Sequence, residues 1–395
     1  MSKIIIVGAG ASGLVSAIIL ARAGFDVTIL EKQSRVGSKI LATGNGRCNL
    51  TNTHLTLDKY HSSYKGNLFI PIEKYGVEPT LEFFKDIGIV PLIEDTKVYP
   101  FSEQASSVLD VLRIEIDRLN VNIITDFYVT DISRQHSKFV INKEIEADKV
   151  IIATGGLAGV KEDTKIYDIL AHLGHTIIPL KPTLVHVKSK SEYCKMLQGI
   201  RVKVQARIYV ANKLIRTEAG EVLFTEDGLS GPAIFQLSRI ASLNKCYITL
   251  DLCPTLNIEE IINTIFLRIR DNISLEELFI GWLNKKVAIA VIKVANIGKL
   301  SRLAHDLEYE DVLALANTMK SFRFDINGTR PFKFAQATIG GVSLNDVNLN
   351  TMESKKVKEL YIVGEVLDVD GDCGGYNLQW AWSTSMLAAN NIGKL

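Results

Sequence analysis

The sequence predicts an α/β fold in which both ends of the chain build one parallel-sheet domain, with a small β-barrel and a helical subdomain inserted between them. Three observations predict it. A strand-like run, Lys3–Val7, leads into the turn Gly8-Ala9-Gly10-Ala11-Ser12-Gly13 and then a helix-like run. Short strands separated by turns dominate residues 188–256, followed by helical spacing over 257–330. Strand-and-glycine patterns return near residue 331. We therefore expect a Rossmann-like domain over residues 1–187 and 331–395.

The N-terminal glycines stand where a dinucleotide site requires them. Gly8 permits the tight turn, Gly10 lets backbone approach a pyrophosphate, and Gly13 lets helix and strand pack closely. The helix N-terminus favours an anion because its amide N–H groups and its dipole face the ligand. An acid at the end of the second strand can accept both ribose hydroxyls. The predicted dinucleotide-binding residues here are Gly8, Gly10, Ala11, Ser12, Gly13, Glu31 and Lys32.

A second glycine turn follows the apolar run Val150–Ile152. The sequence Ala153-Thr154-Gly155-Gly156 lets main chain pass close to a bound nucleotide. Such a turn alone is also an ordinary strand-to-loop connection. After an N-terminal glycine fingerprint it favours FAD over NAD as the tightly held ligand, while a nicotinamide-only dehydrogenase remains the alternative. We include Ala153, Thr154 and Gly155 among the predicted cofactor-binding residues.

Composition limits the class of protein. The chain has 395 residues, 47% hydrophobic and 23% charged, with a net charge of +1, which is enough for two or three packed units. No run of about 20 apolar residues predicts a membrane span. The short apolar N-terminus is better explained as a first β–α–β unit than as a signal peptide, because glycines interrupt it. Five cysteines without a Cys-x-x-Cys pair indicate neither a disulfide scaffold nor a metal site, and favour a cytoplasmic protein.

Positive charge is concentrated between His186 and Glu218. Two interpretations stay open: a set of solvated strand faces, or a basic surface for RNA or another anion. The stretch has only two acids, Glu192 and Glu218, against eight basic residues: Lys188, Lys190, Lys195, Arg201, Lys203, Arg207, Lys213 and Arg216.

Apolar periodicity predicts the remaining elements. Helices are expected over residues 14–23, 79–87, 103–119, 232–242, 258–270, 275–282, 285–296 and 309–319. Strands are expected over residues 121–125, 127–133, 138–145, 200–211, 213–218, 221–224 and 246–252.

The C-terminal segment repeats the strand, glycine turn and helix arrangement. A buried strand ends at Gly364, an acid-rich loop follows, and Gly374-Gly375 open an apolar helix that ends near Asn391. This predicts a second helix N-terminus that attracts anions. In FAD enzymes such an end can face the pyrimidine side of the isoalloxazine, where negative charge gathers on reduction. The alternative is an ordinary strand-loop-helix connection.

Longer motifs carry a family resemblance. These are the loop Thr43-Gly44-Asn45-Gly46-Arg47-Cys48-Asn49-Leu50-Thr51-Asn52, the segment Phe224–Pro232, the turn Gly340-Gly341-Val342, the run Thr351–Lys355 and the stretch from Gly364 to Gln379. Together with Gly8–Gly13 they resemble the bacterial two-dinucleotide-binding-fold flavoproteins known as bile-acid-inducible-type reductases or aminoacetone oxidases. That group includes a 23S ribosomal RNA dihydrouridine synthase. The resemblance spans essentially the whole chain.

The resemblance implies a Rossmann-like FAD-binding domain built from both ends of the chain with an inserted barrel and helical unit. It also implies FAD contacts beyond the N-terminal fingerprint. Those contacts are Lys39, Asn45, Gly46, Arg47, Cys48, Gly364, Glu365, Gly374, Gly375, Tyr376 and Asn377.

Flavin chemistry leaves several functions open. We expect an FAD-dependent oxidoreductase that reduces a C=C bond with NADPH or NADH as a transient electron donor, with uridine in ribosomal RNA as the leading substrate. Such a reaction needs a proton donor, and Cys48 and Cys373 are candidates, the alternative being that both are small packing residues. The alternative hypotheses are a small-molecule oxidase of the aminoacetone type and a non-catalytic, ribosome-associated flavoprotein. The oligomeric state is not predicted.

Overall fold

The computed structural model describes residues 2–159, 163–269 and 272–394, and the chain divides into two compact units. Unit 1 comprises Met1–Pro182 and Ala335–Leu395, and unit 2 comprises Thr183–Phe334. Both ends of the chain therefore contribute to one unit. The unit boundaries lie a few residues from the expected ones at 187/188 and 330/331.

The elements are numbered in chain order. The helices are α1 (Ala11–Arg22), α2 (Ser38–Leu41), α3 (Ile70–Lys74), α4 (Val77–Asp86), α5 (Ala105–Arg118), α6 (Lys165–His172), α7 (Glu192–Met196), α8 (Pro232–Leu243), α9 (Ile258–Ile269), α10 (Lys285–Ala295), α11 (Tyr309–Lys320) and α12 (Tyr376–Gly393). The strands are β1 (Lys3–Val7), β2 (Asp26–Leu30), β3 (Thr51–Asn52), β4 (Tyr60–His61), β5 (Pro91–Glu94), β6 (Lys97–Pro100), β7 (Asn122–Ile124), β8 (Ile132–Gln135), β9 (Lys138–Ile141), β10 (Ile145–Ala147), β11 (Lys149–Ile152), β12 (Ile177–Thr183), β13 (Val187–Ser189), β14 (Arg201–Val210), β15 (Lys213–Thr225), β16 (Gly228–Ser230), β17 (Cys246–Asp251), β18 (Phe322–Thr329), β19 (Ala337–Val342), β20 (Val347–Asn348), β21 (Glu353–Ser354), β22 (Leu360–Ile362) and β23 (Asp370–Gly371).

The central sheet of unit 1 has the strand order β20-β21-β22-β11-β1-β2-β7, and the five strands from β22 to β7 are parallel. Ile4, Ile5 and Ile6 of β1 are fully buried, as expected for a β-branched central strand. Val7 lies opposite Ile152 in the register, so β1 and β11 end together. The glycine turns that follow these strands therefore meet at one edge of the sheet, where nucleotides bind in this architecture.

Helix α12 is apolar on nearly all sides and is buried along most of its length. It packs against α1, where Ser12 Oγ donates to Ala381 O at 3.4 Å. Two hydrogen bonds join it to the turn after β22: Trp380 Nε1 donates to Gly364 O at 3.2 Å, and Gly364 N donates to Thr384 Oγ1 at 2.9 Å. The last helix is thereby fixed beside the first β–α–β unit.

Unit 2 contains a closed barrel in the order β13-β16-β15-β14-β17-β18. Along β14 the inward side chains Val204, Ala206 and Ile208 are buried, while Arg201 and Lys203 point outward. Strand β18 closes the barrel by pairing with both β17 and β13. The sequence analysis had placed this segment in the helical subdomain, because closure pairs it with strands about 75 to 140 residues earlier in the chain, which local patterns do not reveal.

Other elements also differ from expectation. Of the strand expected over 127–133 only residues 132–133 lie in a strand, β8, and the strand expected over 138–145 is divided between β9 and β10. The segment 275–282 is a series of turns and not a helix, because Leu275 N and Glu276 N donate to the carbonyls of Arg302 and Leu300. Its apolar spacing reflects burial of Leu275 and Phe279. The two strands expected over 213–218 and 221–224 form the single strand β15. The expected end of α9 at Arg270 lies outside the described residues, and within the described chain no helix is long and apolar enough to cross a bilayer.

Candidate dinucleotide site

The N-terminal glycines play three different steric roles. A Cβ on Gly8, whose φ is +106°, would lie 2.7 Å from Ala153 O, and one on Gly13 would lie 1.9 Å from Gly8 O. A Cβ on Gly10 would meet no atom of the described residues within 4 Å. Gly8 and Gly13 are therefore required by close contacts within the chain itself. Packing within the chain does not require a glycine at position 10. A glycine is expected there if a phosphate group passes close to the backbone.

Glu31 lies at the end of β2 and holds the turn after β1. Its Oε2 accepts from Ala9 N at 2.7 Å and its Oε1 from Gln33 N at 2.9 Å. The residue lines a cavity together with the predicted residues Gly8, Lys32, Thr154 and Gly155. The first and second glycine turns thus border one cavity. Phe127, Tyr128 and Tyr167 add aromatic walls that the sequence analysis did not identify.

Glu365 connects three segments that are distant in sequence. Its carboxylate accepts from Lys39 Nζ at 2.8 Å, from Gly156 N at 3.2 Å and from Thr338 N at 2.9 Å. Lys39 Nζ also donates to Gly156 O at 3.2 Å. The side chain of Glu365 is 17% exposed, so this network is mostly shielded from water. It fixes the second glycine turn against the C-terminal turn.

The two glycine-rich turns at opposite ends of the sequence touch each other. A Cβ on Gly364 would lie 2.3 Å from Ser12 Oγ in the first turn of α1. The N-termini of α1 and α12 belong to the same packed unit, and α12 starts after Gly375, whose φ is +95°. A Cβ there would lie 2.6 Å from Thr51 O, so only glycine allows this approach. The structure therefore brings the predicted N- and C-terminal binding segments together.

The start of α12 is held from two sides. Asn52 Nδ2 donates to Gly374 O at 2.9 Å, and Asn377 bonds through its amide to Gly371 N and O at 2.8 and 2.9 Å. The ring of Tyr376 packs edge-on against Tyr60, with centroids 5.8 Å apart. The first turn of this helix has N–H groups without intrahelical acceptors, which makes it a suitable end for an anionic group.

The loop 43–48 has a strained backbone. Asn45 and Cys48 have φ values of +55° and +57°, and Gly46 has a φ of +86°. Left-handed conformations of non-glycine residues cluster at functional sites. Arg47, however, is engaged by protein: it forms ion pairs with Glu94 at 2.7 Å and Glu103 at 2.6 Å. The predicted phosphate contact of Arg47 therefore competes with two carboxylates.

The chain matches the family model described as the HI0933-like protein Rossmann domain over residues 2–391. The chain belongs to the HI0933-like family. It is 34% identical to the 3-dehydro-bile acid delta(4,6)-reductase of Clostridium scindens, with 98% of each chain covered. It is 29% identical to the ribosomal RNA dihydrouridine synthase of Escherichia coli, covering 98% of this chain and 97% of the relative. The resemblance inferred from the motifs is thereby confirmed.

Solved structures share the fold. The 3-ketosteroid delta1-dehydrogenase of Sterolibacterium denitrificans aligns over the whole of both chains with a TM-score of 0.50 and 10% identity. A likeness at that identity shows the fold alone. With the family relationship, this HI0933-like chain is an oxidoreductase of the FAD-binding Rossmann class.

The described site of this HI0933-like protein fits FAD. Gly10 leaves open space at the N-terminus of α1, and the buried Thr154 Oγ1 in the second glycine turn has no hydrogen-bond partner among the described residues. The N-terminus of α12 supplies a second place for negative charge. These features match a ligand with a pyrophosphate, hydroxyl-bearing sugars and a ring that becomes anionic on reduction.

The two candidate thiols have different surroundings. Cys48 is fully buried, and burial raises its pKa to about 11. Cys373 is partly buried and burial also raises its pKa. A proton donor must reach its substrate, so Cys373 is the better placed of the two. A catalytic role for either thiol stays a prediction.

Sequence reasoning missed a polar cluster beside the C-terminal turn. Asp372 pairs with His61, and Asp368 accepts from Ser63 N at 2.9 Å. The acids were visible as part of the C-terminal loop, but their partners lie in β4 and the residues after it, about 300 positions earlier. The ribbon of β4 with β23 creates the cluster, and local sequence carries no signal for it.

Proposed function

We propose that this protein is an FAD-dependent reductase that saturates a C=C bond conjugated to a carbonyl group, with NADPH or NADH as the electron donor. The observation that carries the proposal is the contact between the glycine-rich ends of the chain, with Gly364 against Ser12 and both residues hydrogen-bonded to α12. That arrangement supports one dinucleotide held at its phosphates by α1 and at its ring by α12.

The names of the two relatives share one reaction type. A delta(4,6)-reductase of a 3-dehydro bile acid acts on double bonds conjugated to a ketone. A dihydrouridine synthase saturates the uracil double bond, which is conjugated to a ring carbonyl. Both reactions add a hydride to the carbon remote from the carbonyl and a proton to the adjacent one. The common chemistry supports a conjugated C=C bond as the substrate class.

The chain's own residues would bind and polarise the cofactor. The turn Gly8–Gly13 and Thr154 would hold the phosphates and sugar, and Glu31 would accept ribose hydroxyls. Lys39 and Glu365 would fix the loops around the cofactor. The helix dipole of α12 would stabilise negative charge on the ring. When bound, FAD supplies the two-electron chemistry, and the protein supplies position, charge and a dry surrounding.

Uridine in RNA is our leading substrate. In the described structure the five lysines of the basic stretch form no ion pair, whereas Arg201, Arg207 and Arg216 pair with Glu221, Asp251 and Glu218. Unpaired lysines favour a polyanion because counterion release drives binding. The lysines are Lys188, Lys190, Lys195, Lys203 and Lys213. The second candidate is a small steroid-like enone, which the 34% identity to the bile acid reductase favours.

The visible spectrum of the purified protein tests the cofactor and the reaction class. We expect absorbance near ~450 nm from bound oxidised flavin, bleaching by NADPH or NADH without oxygen, and recovery when an acceptor is added. Recovery with a 3-oxo-4-ene steroid or with uridine-containing RNA supports the proposal and identifies the acceptor. Recovery with neither, together with peroxide formation from aminoacetone, would contradict it and favour an amine oxidase.

Ribosomal RNA tests the leading substrate. Mass spectrometry of ribosomal RNA from a strain lacking this gene should show loss of dihydrouridine, and unchanged dihydrouridine would exclude that substrate. RNA binding should weaken with salt, and Lys203→Gln should lower the slope of log K against log salt by about one. Lys286→Gln removes the same charge from α10 and is the matched control. If Lys203→Gln and Lys286→Gln had equal slopes, the lysines of the basic stretch would face solvent and would not contact RNA.

A further inference from the structure

His61 and Asp372 form a pair at the start of the C-terminal turn. The His61 Nε2 lies 3.1 Å from Asp372 Oδ1, and their side chains are 26% and 5% exposed. An ionised carboxylate can only accept, so the proton between them belongs to Nε2. Among the described residues no protein group bonds to Nδ1, the other ring nitrogen. The imidazole is therefore anchored through one nitrogen and available through the other.

Both members are fixed by backbone. Strand β4 pairs with β23 so that His61 lies opposite Asp370, and Asp372 N donates to Lys59 O at 2.9 Å. Directly after His61, the buried carboxylate of Asp368 accepts from Ser62 Oγ at 3.2 Å and from Ser63 Oγ at 2.5 Å. These bonds hold the ring at a set position and angle, as an orienting carboxylate does in a catalytic pair.

The charged and titratable groups around the pair lie in the turn before β4, in β4 itself and in β23. Lys59 Nζ lies 4.0 Å from Asp372 Oδ2 and also pairs with Asp58. Asp370 faces His61 across the ribbon, and its side chain is buried. The Tyr60 hydroxyl is buried, and burial raises its pKa well above the usual value. The Tyr60 hydroxyl therefore holds its proton, which leaves the imidazole of His61 as the proton donor of this cluster.

The pair lies at the end of the site where the reactive ring of a flavin would be expected. Asp372 is three residues before Gly375, the N-cap of α12, and Asn377 from that helix donates to Asp372 O at 3.5 Å. The negative pole of a reduced ring and the substrate above it would both be near this turn. Cys373, the accessible sequence candidate, is the next residue along the chain.

We propose that His61, oriented by Asp372, is the proton donor of the reduction; this inference rests on the proposed function. When bound, reduced FAD would supply the hydride for the carbon remote from the carbonyl, with NADPH or NADH as the source of its electrons. As that C–H bond forms, the electron pair of the C=C π bond moves toward the carbonyl oxygen, and it returns to the adjacent carbon when that carbon takes a proton. The Nδ1–H bond of the His61 imidazolium breaks, and a new C–H bond forms at the adjacent carbon. Neutral His61 then regains a proton from water.

Rapid mixing separates this role from cofactor binding. In His61→Gln the side-chain amide can still donate toward Asp372 but has no titratable proton. We expect flavin content and the rate of anaerobic bleaching by NADPH to stay within about twofold of wild type, and reoxidation by the enone to fall by about 10²- to 10⁴-fold. The matched control is His305→Gln, which changes the exposed His305–Asp306 pair of unit 2, 3.5 Å apart. It should leave both rates unchanged.

The pH profile and the apoprotein give independent readouts. Wild-type reoxidation should slow as the pH rises, because the donor loses its proton, and His61→Gln should lose that dependence. In the apoprotein, ¹⁵N NMR should find neutral His61 with its proton on Nε2, and Asp372→Asn should remove that preference while retaining flavin.

Three results would overturn the proposal. These are reoxidation by the enone at the wild-type rate in His61→Gln, an equal loss in His305→Gln, or a proton on Nδ1 in neutral His61. If His61→Gln does not fold, Asp372→Asn takes its place in the kinetic comparison, and an unaltered pH profile there would exclude the pair. If the wild-type flavin bleaches but neither a 3-oxo-4-ene steroid nor uridine-containing RNA restores it, the proposed function itself is wrong and the donor role falls with it.

Discussion

Substitution of two glycines in the same turn should weaken cofactor binding in both cases but destabilise the fold in only one. In Gly13→Ala the new Cβ would lie 1.9 Å from Gly8 O, so the first turn of α1 must move by about 1 Å away from β1. Overpacking against backbone costs about 3 kcal/mol, at the upper end of the usual range. For a unit of this size we expect the melting temperature of the apoprotein to fall by about 6 to 12 °C. FAD binding should weaken as well, because the helix N-terminus shifts.

Gly10→Ala should leave the fold intact. Its Cβ meets nothing within 4 Å, and Gly10 has a φ of −86°, which alanine adopts without strain. The melting temperature of the apoprotein should change by about 1 °C or less, while the Kd for FAD should rise at least about tenfold, or about 1.4 kcal/mol. Thermal unfolding of the apoproteins and flavin fluorescence titration measure the two effects. Wild-type FAD affinity in Gly10→Ala, or wild-type stability in Gly13→Ala, would refute the steric reasoning.

Three further predictions concern other parts of unit 1. Glu115 is held by Arg22 and Arg118, which lower its pKa to about 2, so its stabilisation is present above about pH 4.5 and is lost as the pH falls toward 2. Glu115→Gln should therefore destabilise the protein by about 1–3 kcal/mol at pH 7 and by less at pH 3, as measured by urea unfolding; an equal loss at both would contradict this. Glu365→Gln should raise the Kd for FAD by about tenfold, since one acceptor oxygen is lost, and an unchanged Kd would show that its network is not needed. Cys48 should resist alkylation at pH 8 in the native protein, because a pKa of about 11 leaves roughly 0.1% thiolate; rapid labelling, located by mass spectrometry, would contradict its burial.

The sequence correctly predicted the elements whose geometry depends on residues that are neighbours in the chain. The run Lys3–Val7 and the turn to Gly13 are one strand, turn and helix whose geometry depends on neighbouring residues. Helices α4, α5, α10 and α11 lie within a few residues of their expected positions, because each buries one apolar face at helical spacing. The helix predicted over 275–282 is wrong for the same reason, since a buried series of turns with regular apolar spacing has the sequence pattern of a helix.

The sequence by itself determined the family, the N-terminal strand, glycine turn and helix, and the existence of an inserted barrel. The first two follow from motifs in which a glycine or an acid is needed at a fixed spacing, and the barrel follows from short strands separated by turns. Only the tertiary structure decided which distant segments meet: β18 closing the barrel, Glu365 joining Lys39 to the second glycine turn, and His61 facing Asp372. Such pairings depend on sheet order and chain crossover, whose free energy comes from contacts between residues about 75 to more than 300 positions apart. No local pattern encodes a partner at that separation.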